Sequence, residues 1–223
     1  MINIPTHSYQ PFTWTHEYLF QLLTKSHHHL VRSTNLIKAF EYIDRADFVP
    51  ANQQADAYMD KLIELPYGSI LDKPTVIAEM LQLTKPAPGG TFLDIGSGSG
   101  YVAALLGVAG GEGSKVYSLE RNQFLAEIAR INIKKYPFLN NVEIVFCDGS
   151  LGYPEKGQYD VIHVSASYDE IPQPLLDQLK VGGYLCIPRT NRDLSVFHRT
   201  GAKDFQESTH KAFFFDKIQD GIE

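Results

Sequence analysis

The stretch "TFLDIGSGSGYVAALLGVA", residues 91–109, predicts a strand, a glycine-rich loop and a helix in that order. Residues 91–95 form a short apolar run typical of a buried strand, and residues 101–109 form an apolar helical run. The glycines at 96, 98 and 100 allow a tight turn and let the backbone approach a ligand with no Cβ in the way. A helix that begins near Tyr101 points its free N–H groups at the same place. We therefore expect a ligand site at this loop.

The rest of the chain after residue 90 continues the alternation of apolar strands and helices. Strands that are apolar throughout and alternate with helices indicate a parallel sheet that is covered on both faces. We predict an α/β fold, a Rossmann-like doubly wound sheet that is mostly parallel and has about seven strands. Such sheets bind ligands at the carboxyl ends of their strands. The further predicted strands are 115–120, 141–148, 159–166, 182–188, 194–199 and 211–218, and the helices are 122–136 and 172–180.

The chain before residue 90 has helical rather than alternating patterns. Apolar residues recur at helical spacing over 16–30, 33–49 and 74–84, with Ser33 or Thr34 as an N-cap for the second helix. We predict an N-terminal helical appendage over residues 1–85, which covers cofactor and substrate. The Rossmann-like core then spans residues 86–223, and the two parts form one compact unit. Aromatic residues that we expect to pack within the appendage are Trp14, Tyr18 and Phe20.

Composition excludes several classes of function. The formal charge is −6 over 223 residues and no lysine- or arginine-rich run occurs, so we expect neither nucleic-acid nor membrane binding. The first residues lack the pattern of a signal peptide. The two cysteines, Cys147 and Cys186, lie in apolar runs and are expected to be buried thiols, which fits a reducing cytoplasm.

The histidine run 27–29 and the single His163 could suggest a metal or catalytic site, but their positions do not favour one. The three at 27–29 fan out by about 100° each on a helix, so they rarely share a metal ion. His163 lies inside a predicted strand, where a hydrogen-bonded core histidine is expected rather than a catalytic one. We predict no metal site.

Three acids end or closely follow three successive strands and indicate the kind of ligand. Asp94 precedes the first loop glycine by two residues, Glu120 closes the second strand, and Asp148 with Gly149 follows the third. Position 101 is tyrosine, so the dinucleotide pattern G-x-G-x-x-G is not met, and the G-K-[ST] ending of a P-loop is absent. A carboxylate beside the loop repels phosphate but can engage a cationic amino-acid group, and Glu120 can accept hydrogen bonds from ribose hydroxyls.

Each of these acids also has a purely structural interpretation. Asp94 is suited to stabilise the loop, Glu120 to assist a helix cap, and Asp148 to form an Asx turn. Their combination at three strand ends nevertheless favours a nucleoside without phosphates that carries a cation. S-adenosylmethionine has these properties, so we expect a methyltransferase.

The chain resembles the protein L-isoaspartate O-methyltransferases from about residue 17 to at least 188. "LIKAFEYIDRADFVP" (36–50) is similar to the family's "V..A...V.R..FVP", and "LDIGSGSGY" (93–101) to its first cofactor motif. "FCDGSLGYPEKGQYDVIHVSAS" (146–167) resembles its D-G-x-x-G-Y segment and the strand that follows. "IPQPLLDQLKVGGYLCIP" (171–188) resembles its "P..L..QLK.GG.L..P" run.

The resemblance implies an activity and the residues that serve it. It implies methylation of the free carboxylate of isoaspartyl residues in damaged proteins, with S-adenosylmethionine as methyl donor. The segment before the third helix is implied to cover the methyl donor, and we expect its residues Ser69, Ile70 and Leu71 to contact the substrate. Ser165 and Ser167 follow the carboxyl end of the fourth predicted strand and are candidate substrate-side hydroxyls, with capping of the next turn as the alternative. The residues implied to hold the cofactor are Asp94, Gly96, Ser97, Gly98, Ser99, Gly100, Glu120, Arg121, Asp148 and Gly149.

The segment "GSILDKPT", residues 68–75, departs from the family's "G..T.SAPH" pattern. Ile70 replaces the threonine, Asp72 replaces the hydroxyl-bearing residue beside the reacting carboxylate, and Thr75 replaces the histidine. Asp72 is therefore the candidate catalytic residue, although aspartate is also a strong N-cap for the helix that follows.

The interpretation of Asp72 leaves three outcomes open. It turns away as a cap while Ser69 or a backbone N–H serves the substrate; it donates as an acid with a raised pKa; or it acts as a base for a neutral acceptor. The corresponding alternatives for the whole chain are a family member with a different acceptor and a cofactor-binding adaptor without catalysis. The sequence does not give the oligomeric state.

Overall fold

The computed structural model describes residues 14–25, 30–211 and 215–223. The predicted histidine run at 27–29 and part of the predicted strand 211–218 lie outside these residues. The six α-helices within the described residues are α1 His16–Lys25, α2 Thr34–Tyr42, α3 Pro74–Thr84, α4 Tyr101–Gly110, α5 Gln123–Lys134 and α6 Gln173–Asp177. The strands are β1 Ile63–Glu64, β2 Ile70–Leu71, β3 Thr91–Ile95, β4 Lys115–Glu120, β5 Val142–Phe146, β6 Tyr159–Val164, β7 Leu179–Pro188, β8 Asp193–Arg199 and β9 Phe205–Lys211.

The main sheet has seven strands in the order β5-β4-β3-β6-β7-β8-β9. The first five strands are parallel to one another, whereas β8 is antiparallel to both β7 and β9. The chain runs outward from β3 to β5 and then returns to β6 on the other side of β3, so the strand order reverses between β3 and β6. The predicted fold class is confirmed, and ligands are expected to bind at this reversal.

Helices cover the two faces of the sheet and bury its apolar side chains. Helix α4 is buried at nearly every position because it lies between the sheet and α2, which accounts for its almost uniformly apolar sequence. Phe40 and Leu36 on α2 belong to the same core cluster as Leu105 on α4. The opposite face packs Leu175 and its neighbours against β6 and β7. This packing fixes the loop between β3 and α4.

Several predicted elements differ from the observed ones. The predicted helix 33–49 divides into α2 and a 3₁₀ helix, Arg45–Phe48, because Asp44 accepts a hydrogen bond from the backbone N–H of Ala46 and starts a new turn. Ser33 is the N-cap residue of α2, but its side chain makes no capping hydrogen bond. The predicted strand 141–148 is shorter, and the predicted helix 172–180 is reduced to α6 because β7 begins at Leu179.

The last strand of the sheet lies earlier in the chain than predicted. We expected a strand over 211–218, whereas β9 is Phe205–Lys211 and pairs along its length with β8. Strand β9 is at the sheet edge and mostly exposed, so its sequence "FQESTHK" is polar and gave no apolar signal. In the described part of the predicted strand, Lys217 forms an isolated parallel bridge with Ser167.

Two negative findings concern the described part of the chain. None of its helices is long and apolar enough to cross a membrane. It contains no cluster of histidine, cysteine, aspartate or glutamate suited to a metal ion. Cys147 is half-buried and Cys186 buried, and both are free thiols.

Candidate active site at the carboxyl ends of the strands

A cavity of about 500 Å³ opens where the strand order reverses. One wall consists of the glycine loop, Glu120, Arg121 and Gly149, which follow the carboxyl ends of β3, β4 and β5. The opposite wall consists of residues 67–72, the loop after β7 and the segment 215–219. Pockets of about 300–1,000 Å³ hold small ligands and cofactors. The volume and position of the cavity therefore suit a nucleoside-sized ligand.

The glycine loop needs its glycines for two separate reasons. Gly96, Gly98 and Gly100 have φ values of 94°, 52° and 90°, a region that other residues rarely adopt. A side chain at Gly98 would also come within 3.2 Å of Leu65 across the cavity. The backbone N–H of Gly98 donates to Oε2 of Glu120 at 2.9 Å, which ties the loop to the end of β4.

Glu120 is buried and is held in place by the backbone. Its Oε1 accepts a hydrogen bond from the N–H of Asn122 at 3.0 Å, in addition to the bond from Gly98. Burial raises the pKa of Glu120, and the backbone hydrogen bonds act in the opposite direction. A carboxylate has about four acceptor positions. Glu120 therefore keeps acceptor capacity for hydroxyl groups of a ligand in the cavity.

Asp94 lies beneath the loop rather than on the cavity wall. It is completely buried, its Oδ2 accepts from Ser118 at 2.6 Å, and its Oδ1 lies 3.1 Å from Nδ1 of His163. Ser118 in turn lies 2.7 Å from the hydroxyl of Ser97, a residue of the cavity wall. The network connects β3, β4 and β6 below the loop. His163 is a hydrogen-bonded core histidine, as predicted.

Residues 215–223 form a segment along the cavity, and its end makes hydrogen bonds with two of the predicted cofactor residues, Asp148 and Arg121. Asp148 is exposed, and its Oδ2 accepts from the N–H of Gly221 at 2.7 Å. Arg121 donates to the carbonyl of Gly221 at 2.8 Å and forms a 3.0 Å ion pair with Glu223. Burial of Asp148 opposes the effect of its hydrogen bonds from Ser150 and Gly221, which on balance lower its pKa.

Asp72 lies on the cavity wall and does not cap α3. The N-cap position belongs to Lys73, and no side chain at that position makes a capping bond. Asp60 accepts from both the backbone N–H (3.1 Å) and the hydroxyl (2.8 Å) of Thr75 in the first turn of α3. The predicted capping role of Asp72 is wrong because Asp60 satisfies the start of the helix. Asp72 itself has no hydrogen bond to any described residue.

The electrostatic environment of Asp72 favours its neutral form. Burial raises its pKa to about 7; the positive charge of Arg45 lowers it, and the negative charge of Asp216 raises it further. A carboxyl group with this pKa populates both protonation states at neutral pH. The group is thus able either to donate or to accept a proton in the cavity.

Comparisons with known proteins place this architecture in one family. The family model of protein-L-isoaspartate (D-aspartate) O-methyltransferase matches residues 15–220. A protein-L-isoaspartate O-methyltransferase of Aeropyrum pernix is 40% identical over 167 residues, which are 75% of this chain and 64% of the relative. One from Staphylothermus marinus is 38% identical, covering 73% of this chain and 75% of the relative. The chain belongs to this family.

Solved structures of the same family share the fold. A protein-L-isoaspartate O-methyltransferase superposes with a TM-score of 0.79 at 28% identity, covering 92% of this chain and 66% of the other. A Plasmodium falciparum protein of this kind, solved with S-adenosyl-L-homocysteine, has a TM-score of 0.80 at 24% identity and covers 92% of this chain and 98% of the other. The chain thus spans slightly less than two thirds of the Aeropyrum relative and of the first structure.

The methyltransferase-family architecture brings most of the predicted site residues together. Gly100 lies at the base of the loop, just behind the cavity, and Asp94 and Asp148 hold other parts of the protein. Ser167 is buried; its N–H and carbonyl pair with the backbone of Asp216 and Ile218, so it anchors segment 215–223. Predicted residues that line the cavity are Ser69, Ile70, Leu71, Asp72, Gly96, Ser97, Gly98, Ser99, Glu120, Arg121, Gly149 and Ser165.

Other residues of the cavity were not predicted from the sequence. Arg189 and Thr190 directly follow the carboxyl end of β7, so the rule that pointed to the other strand ends would also have found them. Tyr67 has a φ of 60° and stacks on Phe124 with ring centroids 5.2 Å apart. No sequence pattern marks this pair, or the segment 215–223, as part of a site.

Proposed function

We propose that this chain transfers the methyl group of S-adenosylmethionine to the free carboxylate of isoaspartyl residues in damaged proteins. The observation that carries the proposal is the cavity itself. It has a glycine loop and Glu120 on one wall, and on the other a carboxyl group at the position where the family has a hydroxyl. The membership of the chain in the family supports the same reaction.

The residues present fit the proposed cofactor. The glycine loop has no side chains at 96, 98 and 100, so its backbone can lie close to a flat ligand. Gly149 is required for a different reason, because a Cβ at that position would come within 3.0 Å of Leu119. With the cofactor bound, Glu120 would accept from the ribose hydroxyls and Gly149 would lie beside the base. S-adenosylmethionine, when bound, supplies an electrophilic methyl carbon on a sulfonium. Asp94 would act on its amino-acid end only indirectly, through Ser118 and Ser97.

The acceptor carboxylate requires positioning and removal of water rather than a base. It is already an anion, so an in-line attack on the methyl carbon needs only a fixed orientation. An ionised Asp72 would oppose its binding, because two like charges about 4 Å apart repel by about 4 kcal/mol at an effective dielectric of 20. That energy corresponds to about 10³-fold in rate or binding. The protonated form of Asp72 instead donates a hydrogen bond to the acceptor.

A second candidate is methylation of a neutral hydroxyl or amine. Asp72 favours this candidate as well, because a carboxylate whose pKa is about 7 is well matched to general-base catalysis at neutral pH. In that case the ionised form of Asp72 is active, and the rate rises with pH. For the carboxylate acceptor the protonated form is active, and the rate falls as pH rises through about 7.

A radiolabelled methyl-transfer assay tests the proposal. Purified protein is incubated with labelled S-adenosylmethionine and either an isoaspartyl peptide or the matched aspartyl peptide. We expect a base-labile methyl ester on the isoaspartyl peptide only. A base-stable product would support the second candidate, and no product with any acceptor would support a cofactor-binding adaptor; either result refutes the proposal.

The location of the protein is part of the same proposal. Cys147 and Cys186 are free thiols, which is compatible with a reducing compartment, and we propose that the protein works in the cytoplasm. The predicted division at residue 85 likewise stays a proposal, in which the N-terminal part covers the site.

A further inference from the structure

Arg45 is buried next to Tyr101, a residue that lines the cavity. Its side chain is 0% exposed, and Nη2 donates to the carbonyl of Lys61 at 3.3 Å. Its Nε and Nη1 are buried and have no hydrogen-bond partner among the described residues. Buried arginine N–H groups are normally paired, so these two are an exception that calls for a reason.

The surroundings of Arg45 connect it with the cavity. Its guanidinium lies 5.5 Å from the ring centre of Tyr101, which is itself part of the cavity wall. Phe48, in the same 3₁₀ helix as Arg45, packs on Tyr101 at 5.4 Å. Burial lowers the pKa of Arg45 to about 10, and Tyr101, Asp72 and Asp60 act in the opposite direction. Arg45 therefore keeps its positive charge at neutral pH.

Asp72 is a second polar side chain near this part of the cavity that lacks a hydrogen-bond partner in the described part of the chain. It is partly exposed to the cavity, and its carboxyl group lacks a hydrogen bond to any described residue. Arg45 lies close to it, because Nη2 of Arg45 donates to the carbonyl of Lys61, two residues before Ile63, and Ile63 pairs with Leu71, the residue before Asp72. The positive charge of Arg45 accordingly lowers the pKa of Asp72. The two side chains do not form a close ion pair in this structure, since no contact of 4.0 Å or less joins them within the described residues. A buried cation with two unpaired nitrogen atoms thus lies near an acid that has no hydrogen-bond partner among the described residues.

We propose that Arg45 is a positioning residue that sets the protonation state of Asp72, and thereby the pH range in which the cavity accepts a carboxylate. This inference rests on the proposed function, in which the protonated acid is the active form. Arg45 favours the ionised form and burial favours the neutral form, so their balance holds Asp72 near its midpoint at neutral pH. Without the cation, Asp72 would stay protonated to higher pH.

Other charged groups around Asp72 act in defined directions. Asp216, on segment 215–223, favours the neutral form of Asp72. Asp60, which also caps the start of α3, raises the pKa of Arg45. Tyr101, whose ring lies next to the guanidinium, acts in the same direction. Of these groups, only Arg45 favours the ionised form of Asp72. Removal of the charge of Arg45 is therefore expected to raise the pKa of Asp72, and removal of the charge of Asp216 to lower it.

The direct test is a titration of the Asp72 side-chain carboxyl carbon by ¹³C NMR in the cofactor-free protein, with Asp72→Ser to assign the signal. We expect a midpoint near 7 in the wild type. In Arg45→Met the midpoint should rise by about one unit or more, because a nearby opposite charge typically shifts a carboxyl pKa by about 1–3 units. Arg45→Lys keeps the charge and should stay close to the wild type. An unchanged midpoint in Arg45→Met, or a Lys variant that behaves like Met, would overturn the inference.

A second measurement needs no substitution at Arg45, in case Arg45→Met does not fold. The Nε–H signal of Arg45 is followed by ¹H–¹⁵N NMR against pH in the wild type and in Asp72→Ser. We expect a change with the Asp72 midpoint in the wild type and none in the variant. A wild-type signal that does not change with pH would refute the coupling.

Methyl transfer separates failure of this inference from failure of the proposed function. In Arg45→Met, the loss of isoaspartyl methylation at high pH should move upward together with the NMR midpoint. If the wild type forms no methyl ester on isoaspartyl peptides, the proposed function fails whatever the titration shows. If it forms the ester but neither midpoint moves in Arg45→Met, only the role of Arg45 fails.

Discussion

At the scale of single residues, Asp60 and Asp72 lie near the start of α3 and have different tasks. Asp60 accepts from the N–H and hydroxyl of Thr75, so the first turn of the helix does not depend on Asp72. Asp72 is thereby released to face the cavity, where burial raises its pKa to about 7. An acid at the position of the family's hydroxyl is compatible with a carboxylate acceptor only while it is protonated.

Replacement of Asp72 by serine should widen the pH range of isoaspartyl methylation. Serine donates a hydrogen bond at every pH, whereas Asp72 is only about one-tenth protonated one unit above its pKa of about 7. At pH 8 the variant should be about tenfold more active than the wild type, and at pH 6 the two should be similar. Initial rates with saturating S-adenosylmethionine across this range check the prediction, and a wild-type rate that increases with pH would contradict it.

Replacement of Asp72 by asparagine should stabilise the protein at high pH. The folded-state pKa of Asp72 is raised above its unfolded value of 3.8, so its contribution to stability is present at low pH and is lost as pH rises through about 7. Asparagine does not titrate. The free energy of unfolding of the variant relative to the wild type should therefore increase between pH 5 and pH 8, by up to a few kcal/mol. Urea unfolding at the two pH values measures this difference, and a constant difference would argue against a buried ionisable group.

At the scale of elements, the start of α3 depends on an acid from outside the helix. Pro74 occupies the first helical position and Lys73 the cap, so the capping oxygen is supplied by Asp60, which lies 15 residues before Thr75. This contact connects the region before β1 with α3, the helix that follows residues 67–72 of the cavity wall. The same contact keeps β2, and with it Asp72, in position.

Replacement of Asp60 by alanine should cost about 1 kcal/mol of folding stability, the usual effect of losing a helix cap. Asp56→Ala is a matched control, because Asp56 is a nearby acid whose partner is an exposed lysine, Lys61. Exposed ion pairs contribute little, so the control should be within about 0.5 kcal/mol of the wild type. Chemical denaturation of both variants measures the effect, and equal losses would show that Asp60 is not the cap.

The segment 215–223 is the element that closes the cavity. Ser167 holds its beginning through backbone hydrogen bonds, and Asp148 and Arg121 hold its end. Side chains of Asp148 and Arg121 and two backbone hydrogen bonds of Glu223, to Arg121 and from Gln123, fix this end, and Ile222 is exposed. We therefore expect it to open more readily than the sheet, and opening offers the cofactor a route into the cavity.

Replacement of Arg121 by methionine should loosen the end of this segment. The variant loses the hydrogen bond to the Gly221 carbonyl and the ion pair with Glu223, so amide exchange of residues 219–223 should increase about tenfold. Lys211→Met is the control, because it removes an exposed ion pair with Asp193 on β8. Hydrogen-exchange mass spectrometry follows both variants, and unchanged exchange in Arg121→Met would exclude this role.

At the scale of the whole molecule, the sequence predicted the parallel part of the sheet better than its edge. Strands β3, β4 and β6 are buried on both faces, so their apolar sequences identify them. The edge strand β9 carries polar residues because it is exposed, and no pattern separates it from a loop.

The site was predictable where it follows strand ends and not where distant segments meet. The glycine loop and Glu120 lie next to elements that the sequence identifies. The burial of Arg45 behind Asp72 depends on how the 3₁₀ helix at 45–48 packs on α4, and the role of Asp60 depends on a contact across 15 residues. Local patterns carry no information on such contacts, which explains why capping of α3 by Asp72 stayed open as an alternative.

The central claim is that the carboxyl ends of β3, β4 and β5 form a binding site for a sulfonium nucleoside. Isothermal titration calorimetry with S-adenosyl-L-homocysteine tests it most directly, with Gly98→Val as a variant whose side chain would enter the cavity against Leu65. The account predicts one-to-one binding to the wild type and none to the variant. Absence of binding to the folded wild type, for both S-adenosyl-L-homocysteine and S-adenosylmethionine, would contradict it.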